Sequence, residues 1–473
     1  MTTLVWFRQD LRLQDNPALS AALNDGHIIP IYIQAGDVDT AREGSAARWW
    51  RHHSLSDLAS GIAALGSRLI IRQGEPLAEL QKLILQTGAT AIVWNRRLEP
   101  AAIAADQIIK AALKADGMNA RSFNGNYLHE PWEILNKQGQ PFQIFTPYWK
   151  AKIAAGLDFS IQPAPPSLPP VDQRLESLAV EALELLPNIP WDKNFYLEWI
   201  PGEAGAWTRF EQFLPKIDDY AEARNFLVGT GVSKLSAHLH FGEITPRQII
   251  RHLLDMRGSV LESRGVAHFM RELGWREFGV YLAYHFPHTV DTPLDKRFNR
   301  FPWRDAPDDL RAWQRGQTGI PVVDAAMRCL WVTGWMHNRA RMIVASMLTK
   351  NLLIDWRLGA AWFMDTLVDA DLGSNTAGWQ WTAGTGADAA PYFRIFNPML
   401  QAEKFDPEGT FIRRWVPELA RADTKTLFAP WEARSTDLLS AGIILGTTYP
   451  TPITELAGSR ARALASFAQI KKY

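Results

Sequence analysis

The chain has 473 residues, 47% of them apolar, and its 50 Lys and Arg balance its 50 Asp and Glu. This length predicts two or three domains with substantial cores. The balanced charge gives no global signature of a nucleic-acid or membrane partner, although a local basic patch stays open. The single Cys329 excludes an internal disulfide and a multi-cysteine metal site, which suits a reducing cytoplasm. No apolar run approaches the length of a membrane span.

The first 130 residues alternate strand-like and helical stretches. The predicted strands are 3–7, 28–33, 68–72, 91–94 and 120–123, with helices between them, two near 45–65 and 99–115. Asn16 is placed to cap the first helix, with Pro17 in its first turn. The alternation predicts an α/β domain with a doubly wound parallel sheet. No G-x-G-x-x-G opens the first helix, so a dinucleotide fingerprint is absent.

The composition changes after this region. Residues 161–170 hold five prolines and predict an extended connector. From about residue 196 the apolar pattern is helical: Thr245 and Pro246 mark one helix start, and 324–350 is a long apolar-periodic segment. We therefore expect three parts: an α/β domain at 1–130, a Pro-rich interdomain linker at 131–195 and a larger all-α domain at 196–473.

The segment GTGVSKLSAHLHFG at 229–242 has the composition of a phosphate site. Glycines free the backbone, and the hydroxyls of Ser233 and Ser236 lie beside Lys234 at the start of a helical stretch. Backbone N–H groups at a helix N-terminus attract phosphate, and so does an ammonium. An ordinary loop with a serine cap is the alternative.

The segment GWMHNRARM at 334–342 combines indole, thioether and amide groups. On a helix, Trp335, Asn338 and Met342 would share one face, with Arg341 on an adjoining one. If that face is buried, Asn338 needs a partner, which a planar ligand would supply. A core helix with one satisfied Asn is the alternative.

The segment FMRELGWREF at 269–278 places a carboxyl one helical turn from an indole. Glu272, Trp275 and Arg276 fall at i, i+3 and i+4. Desolvation beside an indole on an apolar helix favours the protonated carboxyl, which donates a hydrogen bond. A surface ion pair between Glu272 and Arg276 is the alternative.

A basic and aromatic stretch, KRFNRFPWR, occupies 296–304. Over residues 291–357, eleven Lys and Arg outnumber seven Asp. This excess is a modest footprint for phosphate contacts, and a solvated charged face is the alternative.

The stretch DADLGSNTAGWQW at 369–381 brings acids and small residues next to two indoles. Asp, Asn and Gly are typical of an exposed turn, whereas Trp379 and Trp381 favour a core. The chain has 20 Trp against 10 Tyr, which indicates either a Trp-rich core or a chemical use of indoles.

These segments resemble those of the photolyase/cryptochrome flavoproteins over nearly the whole chain. The stretches that carry the resemblance are VWFRQDLRLQDNPAL (5–19), SKLSAHLHFG (233–242), ELGWREF (272–278), TGIPVVDAAMR (318–328), GWMHNRARM (334–342), LLIDWR (352–357), DADLGSNTAGWQW (369–381) and PYFRIFNP (391–398). The resemblance is most specific between about 220 and 410.

The resemblance implies FAD, folded into a U shape within the helical domain. The residues expected around its phosphates are Tyr220, Ser233, Lys234, Leu235 and Ser236. Those expected around the rest of the cofactor are Phe269, Arg276, Trp335 and Asn338. Arg341 would pair with Asp369, Asp371 would accept a hydrogen bond from the cofactor, and Asn375 would face the flavin N5.

The resemblance also implies light-driven repair of cyclobutane pyrimidine dimers in DNA, in which excited reduced flavin lends an electron to the dimer. Relatives that repair (6-4) photoproducts have histidines in place of Asn338 and Met342. Glu272 would hydrogen-bond the flipped-out dimer, between aromatic walls formed by Trp275 and Trp381. The residues expected to contact DNA phosphates are Arg224, Arg339 and Arg394, and those expected to carry electrons to oxidised flavin are Trp379, Trp356 and Trp303.

The chain departs from relatives at two places. Val232 stands where many have a threonine, which removes one hydroxyl from the phosphate segment. After the fourth strand, where folate-binding relatives have an acidic side chain, this chain has Glu99 followed by Pro100. We expect a methenyltetrahydrofolate antenna as the second chromophore, with deazaflavin as the alternative.

The expected partner is UV-damaged DNA that contains pyrimidine dimers. We expect a cytoplasmic, nucleoid-associated monomer without metal or membrane contacts. The alternative functions are a cryptochrome-like blue-light photoreceptor that signals without repair and a flavoprotein of unrelated activity.

Overall fold

A computed structural model describes residues 2–36, 43–229, 231–259, 262–389 and 393–471. Contacts divide the chain into two units. Unit 1 comprises Met1–Asp218, Ser233–His285 and Val368–Asp371, and unit 2 comprises Asp219–Val232, Phe286–Leu367 and Leu372–Tyr473. The domain bounds expected at 130 and 195 follow from the change between strand-containing, proline-rich and helical segments, not from contacts. They stay a prediction.

Unit 1 contains a five-stranded sheet in the order β3-β2-β1-β4-β5. Its strands are β1 Thr2–Phe7, β2 His27–Gln34, β3 Ile70–Gln73, β4 Ala91–Asn95 and β5 Asn119–Phe123. Every neighbouring pair is parallel, so each strand is followed by a crossover connection. The winding reverses between β1 and β4, as in a doubly wound sheet. The predicted sheet is confirmed.

Both faces of the sheet are covered, so the strands are apolar at consecutive positions. Trp6 of β1 and Trp94 of β4 pack with ring centroids 6.0 Å apart. The helix Pro17–Leu23 starts as predicted, because the side chain of Asn16 accepts a hydrogen bond from the backbone N–H of Leu19 at 3.1 Å.

The remaining elements of unit 1 are helical. Its other α-helices are Ser45–Ala64, Pro76–Thr87, Pro100–Ala115, Phe145–Ala154, Phe195–Glu198, Glu203–Phe213, Ser236–His240, Pro246–Arg257 and Arg264–His285. Its 3-10 helices are Pro131–Glu133, Val180–Leu183 and, except for its last residue, Leu214–Asp219. The predicted cap at Thr245 is confirmed: its hydroxyl accepts from the backbone N–H of Gln248, whose side chain accepts from the backbone N–H of Thr245.

Unit 2 is helical wherever it has described regular structure. Its α-helices are Tyr220–Ala223, Pro307–Gln314, Pro321–Thr333, Asn338–Ser346, Trp356–Thr366, Leu372–Ala383, Pro398–Phe405, Thr410–Trp415, Thr424–Phe428, Ser435–Ser440 and Leu456–Lys471. It also has 3-10 helices at Pro287–Val290, Lys296–Arg300, Pro417–Leu419 and Pro430–Glu432 and a π-helical turn at Met347–Asn351. No helix in the described ranges has the length and hydropathy to cross a membrane.

The apolar segment 324–350 is not one helix. Gly334, in the left-handed conformation at φ 67°, ends the helix Pro321–Thr333, and the next helix begins at Asn338. Trp335 therefore precedes that helix, and the prediction that Trp335, Asn338 and Met342 share a helical face is wrong for Trp335. Asn338 and Met342 keep their i, i+4 relation.

The acid- and small-residue stretch at 369–381 is helical from Leu372, where an exposed turn was predicted. The buried residues Gly373, Thr376, Trp379 and Ala383 fall at helical spacing. Small side chains let this helix pack closely, which outweighs the turn preference of Asn and Gly. Trp379 and Trp381, two positions apart, project about 200° apart around the axis. Trp379 is 2% exposed, and Trp381 is half-buried.

Candidate functional site

Residues 233–236 of unit 1 form a tight turn into a short helix. Lys234 has a left-handed backbone at φ 53°, and the hydroxyl of Ser233 accepts from the backbone N–H of Leu235 at 3.4 Å. The ammonium of Lys234 pairs with Glu198, a partner that the sequence did not reveal. The turn thus offers backbone N–H and hydroxyl groups, and its cation is already anchored by a carboxylate.

Arg276 is held by backbone carbonyls. Its guanidinium donates to the carbonyl oxygens of Asn126 at 3.2 Å and Leu239 at 3.0 Å, and it lies 5.0 Å from the ring centroid of Tyr127. In the described residues of unit 1, no carboxylate forms an ion pair with Arg276. The alternative of a Glu272–Arg276 surface pair is therefore wrong, and a fixed positive charge is available to an anionic ligand.

Three other expected cofactor residues of unit 1 are largely buried. An oxygen of Asp371 lies 3.3 Å from Nδ1 of His240. The Phe269 ring centroid lies 5.1 Å from that of Phe213. Asp369 is 7% exposed. Its expected partner, Arg341, belongs to unit 2, and their pairing stays a prediction.

The helix Arg264–His285 presents Glu272 and Trp275 one turn apart, as the spacing predicted. The indole of Trp275 stacks on the ring of Phe145, with centroids 3.8 Å apart and planes at 10°. Next to it, the bare backbone of Gly274 lets Trp149 approach, because a Cβ there would lie 2.5 Å from the Trp149 ring. Glu272 and Trp275 are both half-buried. The helix therefore combines a carboxyl with an indole of fixed orientation.

In unit 2, His337 caps the helix that carries Asn338 and Met342. Its Nδ1 accepts from the backbone N–H of Arg339 at 3.1 Å, and its side chain is 4% exposed. Burial, followed by the charges of Arg339 and Arg341, lowers the pKa of His337 to about 4. The imidazole is thus neutral at pH 7, as an acceptor must be. The sequence pattern indicates no role for this histidine; its position directly before the helix is the signal that could have revealed the cap.

Two of the expected DNA contacts lie on neighbouring segments of unit 2. Arg339 donates to the Oδ1 of Asn225 at 3.1 Å and lies 5.0 Å from the Phe405 ring centroid. Arg224 lies 5.5 Å from the ring centroid of Tyr220. The structure thus brings residues 220–225 and the start of the helix Asn338–Ser346 together. The third expected contact, Arg394, is exposed.

The residues around Asn338 are anchored through the backbone. Arg341 donates to the carbonyl oxygen of Met336 at 2.8 Å. The carbonyl oxygen of Trp335 accepts from the hydroxyl of Thr333 at 3.1 Å. Asn338 is exposed, so the alternative of a satisfied Asn in a core helix is wrong.

The helix Leu372–Ala383 positions Asn375 and Trp379. The amide nitrogen of Asn375 donates to the carbonyl oxygen of Ala360 at 3.0 Å, which orients the amide. The Trp379 ring packs against Gly359, where a Cβ would lie only 2.1 Å from it, and lies 5.0 Å from the ring of Phe363. An electron carrier at this position is held rigidly.

The other two expected electron carriers also lie in unit 2. Trp356 is 1% exposed and begins the helix Trp356–Thr366, which contains Gly359. Trp303 is half-buried, with its ring centroid 4.4 Å from that of Phe301. The role of these indoles stays a prediction.

The basic excess over 291–357 is partly compensated by local ion pairs. Arg297 pairs with Asp295 at 2.6 Å, and Arg304 pairs with Asp309 at 3.1 Å. Arg357 pairs with Asp355 at 2.8 Å. These pairs favour the solvated-face alternative for much of this stretch.

The described residues fit FAD, whose diphosphate is anionic and whose ring system carries an N–H and carbonyl groups. Unit 1 supplies the fixed cation of Arg276, the turn at 233–236 and the carboxylate of Asp371. Within unit 2, the amide of Asn375 is oriented by the carbonyl oxygen of Ala360. Each of these groups, taken by itself, has chemistry that a part of the cofactor requires.

Two family descriptions match the chain. Residues 3–170 match "DNA photolyase", and residues 269–469 match "FAD binding domain of DNA photolyase". Together with near-full-length relatives, these matches show that the chain belongs to the photolyase/cryptochrome family, which confirms the resemblance seen in the sequence.

The similar proteins include photo-lyases and cryptochromes. The chain is 45% identical to a deoxyribodipyrimidine photo-lyase of Agrobacterium fabrum, over 99% of this chain and 98% of that protein. It is 39% identical to cryptochrome-2 of Arabidopsis thaliana, over 97% of this chain and 77% of that protein. A crystal structure of a class III photolyase from Agrobacterium tumefaciens has a TM-score of 0.95 at 44% identity and covers 100% of this chain and 98% of that one.

Proposed function

We propose that the protein is a deoxyribodipyrimidine photo-lyase that repairs cyclobutane pyrimidine dimers in DNA under blue light. The observation that carries this proposal is the pairing of Glu272 with Trp275, one turn apart on a helix whose indole is fixed by Phe145. A rigid indole offers a stacking surface to the dimer. The adjacent carboxyl offers a hydrogen-bond partner to its bases.

The second part of the dimer pocket is proposed on unit 2. Trp381 is half-buried and forms an aromatic wall, and Asn338 and Met342 lie one turn apart on their helix. A neutral amide and a thioether at these two positions fit a cyclobutane dimer, as the resemblance implies. The exposed amide of Asn338 can contact an incoming base without a conformational change.

Phosphate contacts are proposed for Arg224, Arg339 and Arg394. Arg339 is oriented by Asn225, so its guanidinium loses little freedom when it meets a phosphate. Contacts of this kind position the DNA without reading its sequence.

The cofactor proposed for the site is FAD. When bound in its reduced form, FAD would supply the photoexcited electron that opens the cyclobutane ring, and the electron would then return to the flavin. The chain's own residues bind and orient the cofactor: the turn at 233–236 meets its phosphates, Arg276 lies along the rest of it, and Asp371 accepts a hydrogen bond from it. The amide of Asn375 faces the flavin N5, while Trp379, Trp356 and Trp303 carry electrons inward from the surface.

A second, light-harvesting chromophore is proposed for the first domain, with methenyltetrahydrofolate as the first choice and deazaflavin as the alternative. Glu99 stands at the N-cap position of the helix Pro100–Ala115 after β4, and its carboxylate lies 3.4 Å from Arg97. It is the acidic side chain that this chain offers to such a chromophore. The protein is further proposed to act as a monomer in the cytoplasm, on UV-damaged DNA.

The second candidate function is a cryptochrome-like photoreceptor, favoured by the 39% identity to a plant cryptochrome. One experiment separates the two. Reduced, FAD-loaded protein is mixed with UV-irradiated oligothymidine and illuminated with blue light. Photo-lyase activity restores the thymines, which absorb at 260 nm, whereas a photoreceptor leaves the dimers intact. Absence of repair by fully reduced protein would refute the proposed function.

A further inference from the structure

Lys350 is a charged side chain in the interior of unit 2. It lies in the π-helical turn Met347–Asn351, directly after the helix Asn338–Ser346, and is 1% exposed. Burial lowers the pKa of Lys350 well below its ordinary value. In the described residues of unit 2, no carboxylate forms an ion pair with it. Because burying an ammonium without a carboxylate partner is costly, a gain in stability does not account for a lysine at this position.

The ammonium of Lys350 holds the end of another helix. It donates to the carbonyl oxygen of Ala383, the last residue of the helix Leu372–Ala383, at 2.5 Å. It also lies 3.1 Å from the ring centroid of Phe393. The last carbonyls of a helix have no partner within the helix, and a cation there is favourable.

The next residue, Gly384, leaves the helix in the left-handed conformation at φ 79°. A Cβ at Gly384 would lie 3.3 Å from the Lys350 nitrogen, so the two groups are in close contact. Lys350 therefore contacts both the last carbonyl of the helix and the turn that follows it.

Trp381 lies two residues before that end. Its side chain and that of Lys350 line the same small cavity, together with Ser346, Thr382, Gly384, Arg394 and Phe396. The hydroxyl of Ser346 accepts from the backbone N–H of Phe396 at 3.1 Å, which joins two of the lining segments. Trp381 thus lines a cavity that also holds two cationic side chains, Lys350 and Arg394.

We propose that Lys350 is a positioning residue for Trp381: by holding the carboxyl end of the helix Leu372–Ala383, it fixes the indole in the orientation that a pyrimidine dimer meets. The identity of that ligand rests on the proposed function. The placement of the indole by Lys350 does not.

The test uses the full-length, FAD-loaded protein and its Lys350→Met and Lys350→Arg variants. Lys471→Met is the matched control, because Lys471 also lies over a phenylalanine ring, Phe467, at 4.9 Å but is exposed. Three quantities are measured: the urea midpoint of unfolding, the dissociation constants for oligothymidine with and without a dimer, and the ¹⁹F resonance of fluorotryptophan at 381. That resonance is assigned by its loss in Trp381→Phe.

Lys350→Met should leave the urea midpoint near that of the wild type, because removal of a buried charge offsets the loss of the hydrogen bond to Ala383. Its Trp381 resonance should shift or broaden, and the dimer should bind at least about fivefold more weakly, the lower end of the loss of one aromatic stacking contact. Undamaged DNA should bind almost as in the wild type. Lys350→Arg should recover part of both changes, since its guanidinium can donate to the same carbonyl. Lys471→Met should resemble the wild type.

A Lys350→Met protein with the wild-type resonance and dimer affinity overturns the proposal. So does a lower urea midpoint with equal weakening for both oligonucleotides, which marks a merely structural role. Wild-type protein that does not prefer the dimer overturns the proposed function instead, and the ¹⁹F resonance then still decides the role of Lys350.

Discussion

Acidification should break the capping hydrogen bond that His337 provides to the helix Asn338–Ser346. The cap depends on a lone pair, because Nδ1 accepts from the backbone N–H of Arg339 at 3.1 Å. A proton at Nδ1 removes that acceptor and places a charge in a buried site beside Arg339 and Arg341. Both effects favour the unfolded chain, in which the imidazole is solvated.

The size of the effect follows from the two pKa values. Burial holds the pKa of His337 at about 4, against an ordinary value of 6.5. A folded-state pKa below the unfolded one means that the unfolded chain binds more protons between these values. The contribution of His337 to stability is therefore complete above 6.5 and is lost progressively as the pH falls toward 4. Linkage gives a loss of about 2 kcal/mol between pH 8 and pH 5.

The comparison variant is His337→Asn, because Asn is a good helix cap and does not titrate in this range. Urea unfolding of both proteins at pH 8 and pH 5 isolates the contribution of His337, since all other groups titrate in both. The wild type should lose about 2 kcal/mol more than the variant. Equal losses would refute the reasoning, and so would an NMR titration that places the pKa of His337 near 6.5.

Three further outcomes are expected. Gly359→Ala should displace the indole of Trp379, cost about 1–3 kcal/mol of unfolding free energy and slow photoreduction of the oxidised cofactor. Gly378→Ala is the control, because its Cβ would have no neighbour within 4 Å, and it should have neither effect. Similar stability and photoreduction of the two variants would contradict the role given to Gly359. Asp324→Asn should cost about 1–3 kcal/mol at pH 7, because the buried carboxylate accepts two backbone N–H groups and two hydroxyls. Burial raises the pKa of Asp324 to about 6 from 3.8, so the folded protein binds more protons than the unfolded chain between these values, and its stability falls as the pH rises from 3.8 through about 6. Urea unfolding of the variant should lack this pH trend. Trp303→Phe should abolish photoreduction while pre-reduced protein still repairs dimers, and equal loss of both activities would show that the electron path is assigned wrongly.

Local signals in the sequence were enough for several parts of the fold and the site. The caps at Asn16 and Thr245 and the spacing of Glu272 and Trp275 involve residues within four positions of one another. Hydrogen bonds and side-chain neighbours at this range follow directly from backbone geometry. The parallel sheet was predictable because alternating strands and helices leave few other arrangements.

Other features depended on contacts that are distant in the sequence. The stretch at 369–381 carries turn-forming residues, and its helix is stabilised by packing such as that of Trp379 against Gly359. The break at Gly334 separates Trp335 from the helix it was predicted to join, since glycine adopts the left-handed backbone at little cost.

The sequence by itself determined the order of elements, their caps and the family resemblance. Only the tertiary structure decided which polar groups lie in its interior. His337 and Lys350 are ordinary side chains by local pattern, and their perturbed pKa values arise from burial. Lys350 meets Ala383 and Phe393, more than thirty residues away. Desolvation depends on every segment that covers a group, so no local window of the sequence contains it.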